Sequence, residues 1–390
     1  MGKNILTDDM LQAAFALRKQ EPWNVLGDYN VFAVKLSCGE TGYCSVMGEA
    51  GIMHGLGLYV GRKQFSSYLR NLTIKKEPHY EFLENITLLN YIVCSFDAAK
   101  DIEANDKKRI REFSQRTNQT IPRKNGWPNF IKYKPNHAPW RITDKQDAQN
   151  LTEAMRATVF LASYMIEHPS ENVGFGPEGD YPDYRGGKTV PMLISTGEEQ
   201  YEWSTTQLPA FEDEEYPVVQ FDNDIMAHRI KKLPKDQPLC CRMLHMHQPA
   251  LTDQHSTPIY PHLLLVVGKE DGYAIPIMGK DINIDAKEML NKLGETICDI
   301  GKRPEEIETA GDKTYNLLRH FCERCDIPLH KKKKWTRFGK KWRHICIPYY
   351  NISKQHSKWM FKTCVSAIPN FWAWHSRKLK KIVYQAYLPF

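Results

Sequence analysis

The chain has 390 residues, with 42% hydrophobic and 25% charged side chains, which excludes a disordered or collagen-like polymer and leaves room for two ordinary hydrophobic cores. Its longest apolar runs, such as His262–Val267, are too short to span a bilayer. The net charge of +7 averages two unlike pieces. Residues 331–390 carry 15 Lys and Arg and no Asp or Glu, which leaves 38 of the 53 cations and all 46 carboxylates in residues 1–330, a balance of −8. Met1–Met10 places acids where a signal peptide needs an apolar segment, so the ten cysteines read as reduced thiols of a cytoplasmic protein.

Along the chain, Asp8–Gln20 sets Met10, Leu11, Ala14, Phe15 and Leu17 at helical spacing. Strand-like runs follow at Val31–Leu36, Tyr43–Met47 and His54–Val60, separated by short glycine-bearing loops that suit a β-meander. Helices are expected at Arg62–Leu72, near Tyr80–Thr87 and at Glu103–Arg116, with a strand at Asn90–Phe96. Gly126–Pro135 reads as a short, proline-bounded strand at a sheet edge. Thr143 and Gln146 have capping-box spacing and open a helix whose stripe of Ala148, Leu151, Met155, Val159, Ala162 and Ile166 is core packing. Pro169–Lys188 is a glycine-, proline- and acid-rich loop, followed by strands at Val190–Ser195 and Gln200–Thr205. The acidic stretch Pro209–Pro217 marks a boundary, giving an N-terminal α+β domain over residues 1–210, a second domain over 211–330 and a basic tail over 331–390.

The second domain opens with a short helix at Asp224–Lys232. Strands then fall at Leu239–Met246, His262–Val267 and Tyr273–Met278, the last two joined as a hairpin through Glu270–Gly272. A helix at Ile284–Ile300, a strand at Glu305–Thr309, a helix at Asp312–Cys325 and a strand at Ile327–His330 complete it. That is β-β-β-α-β-α-β, the element order of an RNase H-like fold, and Arg303–Leu329 resembles the corresponding stretch of retroviral-type integrases and transposases. More broadly, Phe32–Gly48, Gly55–Gly61, Trp127–Phe130, His137–Thr143, Pro217–Asp222, Pro261–Val267 and Arg303–Leu329 together resemble a family of uncharacterised bacterial proteins built from two domains of unknown function. The resemblance covers most of residues 8–330. It implies the architecture, and no activity, cofactor or catalytic residue.

The residues themselves give little chemistry. RNase H-like nucleases need carboxylates for two Mg²⁺ ions, one of them from the first strand, and Leu239–Met246 contains no acid. Asp312 is at best one ligand and Glu288 a distant second, so no catalytic residue is assigned. His245 and His247 alternate onto one strand face, with Asp253 and His255 close behind, and form a weak candidate metal set. Cys322 and Cys325 lie inside a predicted helix without a second pair at zinc spacing and read as small buried hydrophobes. Gly55, Gly57 and Gly61 are not a dinucleotide fingerprint, because the first two lie within a strand. Trp127, Tyr133 and Trp140 could form an aromatic face but suit the rim of a core better.

Residues 331–390 hold five of the nine tryptophans as well as their 15 cations. Lys331–Lys334 is codable by an adenine run, and a shifted reading of Lys334–Tyr350 is compatible with an acidic amphipathic helix, the element this topology lacks at its end. The tail therefore reads as out of frame, and as poorly ordered. The competing reading is a basic–aromatic arm for nucleic acid. The sequence as a whole reads as a cytoplasmic two-domain protein that is a non-enzymatic binding or interaction module without cofactor. Its expected partner is an unidentified protein or small molecule, with no membrane partner; nucleic acid enters only if the tail is genuine. The alternatives are a nucleic-acid-associated protein with a degenerate RNase H-like domain and a divalent-metal hydrolase.

Overall fold

The computed structural model describes residues 5–48, 51, 53–73, 87–168, 173–175, 185–197, 199–212, 215–245, 251–252, 257–279 and 282–332. These residues gather into two units, one running to Glu212 and the other beginning at Asp213, with Asn136–Ala138 joined to the second. Both are mixed α+β.

In the first unit Thr7 accepts a hydrogen bond from the Met10 amide at 3.1 Å, and Asp8 and Asp9 face the positive end of α1 (Asp8–Gln20). Six strands then build an antiparallel meander: β1 (Phe32–Lys35), β2 (Thr41–Met47), β3 (Gly55–Val60), β4 (Tyr91–Asp97), β5 (Trp127–Tyr133) and β6 (Trp140–Arg141). The chain returns through β7 (Thr189–Gly197), which pairs in parallel with β1, and β8 (Gln200–Gln207) closes that side. The eight strands run in the order β6-β5-β4-β3-β2-β1-β7-β8.

Helices cover both faces. Phe32, Val34, Cys44, Val46, Leu56 and Leu58 pack with α1, α3 (Ala104–Arg116) and α4 (Lys145–Glu167). On the other face Tyr43, Tyr59, Tyr91 and Tyr133 lie with Phe65 and Tyr68 of α2 (Gly61–Thr73). That is why β2, β3 and β4 are buried along almost their whole length instead of alternating. Gly55 permits the close approach of β4, since a Cβ there would collide with the Cys94 carbonyl oxygen.

Two expectations need correction. The proline-bounded strand β5 is not an edge strand, because the two residues of β6 pair outside it. The cap of α4 is Asp144, not Thr143: its carboxylate accepts from the Gln146 and Asp147 amides at 2.8 and 3.0 Å. Asp and Thr are both good caps, and sequence spacing alone does not choose between neighbours. The stripe of α4 is buried at Ala148, Leu151, Met155 and Ala162, while Ile166 is 53% exposed near its end. The helix expected near Tyr80–Thr87 and most of the Pro169–Lys188 loop lie outside the described residues.

In the second unit Asn223 caps α5 (Asp224–Lys231). The short β9 (Lys235–Asp236) pairs in parallel with β15 (Arg303–Pro304), and β11 (Leu251–Thr252) pairs with β12 (Pro258–Ile259). The main sheet contains β10 (Leu239–His245), β13 (His262–Gly268), β14 (Ala274–Gly279), β16 (Ile307–Ala310) and β17 (Leu329–Lys332), in the order β14-β13-β10-β16-β17. Pairing is antiparallel from β14 through β13 to β10, and parallel from β10 through β16 to β17.

One sheet face carries Leu239, Cys241, Met243, Leu264, Val266 and Ile307. Against it pack α5, α6 (Ile282–Ile300) and α7 (Asp312–Arg324), with Leu290, Leu293, Leu317 and Phe321 at the centre. A Cβ at Gly294 of α6 would overlap the Met226 sulfur, so the glycine admits α5 close to α6. Among the described residues no helix is long and apolar enough to cross a membrane. The expectation of a poorly ordered tail falls on residues 333–390, which lie outside the described residues.

Candidate functional site

The carboxyl ends of the parallel strands β10 and β16 are where an open α/β sheet places its ligand crevice. Register puts Cys241 beside Thr309, so the ends of these strands lie next to the start of α7. Gly311 turns the chain there with φ +82°, and Asp312 and Lys313 form the first turn of the helix. The Met243 amide donates to Thr314 Oγ1 at 2.9 Å and fastens α7 to β10.

His245 is the last residue of β10 and pairs directly with His262 at the start of β13. Both are buried, at 5% and 0% exposure, and their rings meet edge to face with centroids 4.2 Å apart. Lys313 Nζ lies 2.9 Å from His245 Nε2 and 5.5 Å from the centre of the Tyr216 ring. An ammonium has only protons to offer, so Nε2 accepts and the His245 proton resides on Nδ1. Tyr216 is itself held through its carbonyl by Asn316 of α7 at 2.6 Å. The cluster is thus a buried imidazole pair closed by a lysine on a rigid helix turn.

The carboxylates of Asp312, Glu288 and Glu308 are each paired with lysines. Asp312 pairs with Lys331, and Glu288 of α6 pairs with Lys292 at 2.7 Å on an exposed surface. On β16, Glu308 receives Lys269 at 3.0 Å and Lys332 at 3.2 Å. Burial pushes its carboxyl up, but the hydrogen bonds from Lys269 and Lys332 outweigh this and hold it below the usual carboxylate range. Among the described residues no group of three or more His, Cys, Asp or Glu could hold a metal ion.

Of the sequence candidates, His245 is therefore placed with His262 and Lys313, while His247, Asp253 and His255 lie outside the described residues. His262 and Lys313 were not singled out by the sequence. The only available signal was the register that sets two strand histidines opposite each other, and it depends on knowing the pairing.

Cys322 and Cys325 are buried at the end of α7, and burial pushes the Cys325 thiol up to about 12. Trp127 and Tyr133 fall in the two opposite cores of the first unit, and Trp140 lies against Arg141. They make no common aromatic face.

Two family models match the chain. Residues 8–178 match one described as "Domain of unknown function (DUF7309)", and residues 226–341 match "Domain of unknown function (DUF6930)". The chain is similar to both, over separate stretches. No curated protein matches it. Among solved structures it is similar to a chain of "CryoEM structure of simian T-cell lymphotropic virus intasome in complex with PP2A regulatory subunit B56 gamma", at 16% identity and a TM-score of 0.22. That match covers 35% of this chain and 48% of the other, about half its length, and a TM-score so low carries no argument.

Proposed function

We propose that the chain is a non-enzymatic binding module whose second unit is an RNase H-like scaffold without the metal carboxylates of a nuclease. The order β14-β13-β10-β16-β17, antiparallel through β10 and parallel beyond it, supports the topological half of this reading. The observation that carries the functional half is the Lys313–His245 hydrogen bond at the carboxyl end of β10. A divalent ion there would meet an ammonium 2.9 Å from an imidazole, with no acid on the strand and Asp312 tied to Lys331. Two-metal hydrolysis needs carboxylates to neutralise the paired ions, and a fixed cation works against them.

A site that is preformed and packed and that, among the described residues, shows no metal shell is suited to recognition rather than turnover. The partner on this reading is a protein or small molecule. The test is a phosphodiesterase assay of the full chain with Mg²⁺ and with Mn²⁺, on single- and double-stranded substrates. The expected result is no turnover above the metal-only control. Hydrolysis abolished by His245→Ala would overturn the reading.

A further inference from the structure

Each of the two main sheets ends in two edge strands, and three of these four edges are blunted. β6 is two residues long, β14 carries Pro276 and β17 carries Lys331 and Lys332, all devices that keep an edge from pairing with another chain. β8, the last strand of the eight-stranded sheet, has none of them. Its eight residues, Gln200-Tyr-Glu-Trp-Ser-Thr-Thr-Gln207, include no proline, lysine or arginine and are rich in strand-favouring Tyr, Trp and Thr. None of the eight is buried, and no described strand lies outside them.

One face of β8 belongs to an aromatic cluster that is left half covered. Trp203 pairs with Leu193 of β7, which lies in the core shared with α4. Tyr201, Trp203 and Thr205 therefore face the α4 side, and Glu202, Ser204 and Thr206 the other. Ring centre to ring centre, Phe160 of α4 lies 4.9 Å from Tyr201 and 5.9 Å from Trp203, and Tyr164 lies 5.0 Å from Trp203. Phe160, Tyr164 and Tyr201 are half-buried, while Trp203 is 40% exposed at the rim of the sheet.

A second copy of β8 fits this edge. In an antiparallel pair related by a two-fold axis normal to the sheet, like faces stay together, so the axis passes through a residue that opposes itself. At Glu202 it would set two carboxylates opposite each other, which destabilises a pair of strands. At Ser204 it would leave each indole against a threonine. At Trp203 the two indoles cover each other, Glu202 faces the second copy's Ser204 and Tyr201 faces its Thr205. The same register brings Glu199, at the hairpin tip of one copy, beside Gln207 of the other. Lys188 flanks that end of β8, where its carbonyl accepts from the Leu208 amide at 2.8 Å. An acidic tip thus meets a basic end, and the symmetry repeats the match.

We propose that the chain forms a two-fold dimer through β8, with Trp203 facing Trp203 of a second copy and the two eight-stranded sheets continuing as one. Sedimentation velocity of the full chain over a dilution series tests it. The native chain should sediment as a dimer that dissociates on dilution; a monomer at every concentration up to about 0.1 mM overturns the proposal.

The register is tested by charge. Ser204→Glu sets a new carboxylate opposite Glu202 on both sides of the axis and should weaken the dimer by about tenfold. Adding Glu202→Lys to that variant turns both repulsions into attractions and should restore the dimer, which a local folding defect would not allow. A dimer indifferent to Ser204→Glu, or one that Glu202→Lys fails to rescue, overturns the proposal.

Discussion

His54 sits against Trp23, with ring centres 4.6 Å apart, and the guanidinium of Arg18 lies over the Trp23 ring. Burial holds its imidazole below the usual histidine value; Arg18 adds to this and Glu21 opposes it. A depressed folded value means that the folded protein binds fewer protons than the unfolded chain. The contribution of His54 is then fully present above the unfolded value, about pH 6.5, and is lost as the pH falls from there towards the folded value. Urea midpoints measured across that window should fall more steeply for the native chain than for His54→Asn, and equal slopes would contradict the assignment.

Tyr59 poses a different question. Its ring stacks on Tyr91 at 5.0 Å, but its hydroxyl is buried with no hydrogen-bond partner. The apolar body stabilises and the oxygen does not. Tyr59→Phe should leave the melting temperature unchanged or raise it, whereas Tyr59→Ala should cost about 3–5 kcal/mol, as expected for emptying an aromatic site in a core. A loss of more than about 1 kcal/mol in the phenylalanine variant would mean the hydroxyl is satisfied.

Among the elements, those with local causes were legible in the sequence. α1 has its cap at Thr7, its acids in the first turn and its apolar stripe within one window, and was read as Asp8–Gln20. The helices expected at Ile284–Ile300 and Asp312–Cys325 are found as α6 and α7 to within a few residues. The parallel pairing of β1 with β7 was not legible, since it joins Ala33 to Met192 across most of the first unit and leaves no local period. The same limit hid the candidate site: Lys313 in a first helical turn has the local signature of a solvated charge, and only the fold brings it to His245, 68 residues away. The cap of α4 separates local from tertiary causes directly. Asp144→Ala should cost about 1 kcal/mol, because two amides lose their acceptor, while Thr143→Ala should cost less than about half of that. Thermal melts of the two variants decide it, and the reverse ranking would restore the capping box to Thr143.

Over the whole molecule, the two units bury separate cores under separate sheets, and the charge is divided as unevenly as the fold. Residues 1–330 are net acidic, which disfavours a polyanion as their partner, and nucleic-acid affinity would draw on the cations that follow. The proposal of binding without catalysis rests on the second unit and on the cation at the carboxyl end of its first long strand. Titrating Mn²⁺ into the full chain and following free Mn²⁺ by electron paramagnetic resonance tests this most directly. The ion should remain free, with no stoichiometric site in the native chain. One tightly bound equivalent that disappears in His245→Ala would place a metal where Lys313 now lies and contradict the reading.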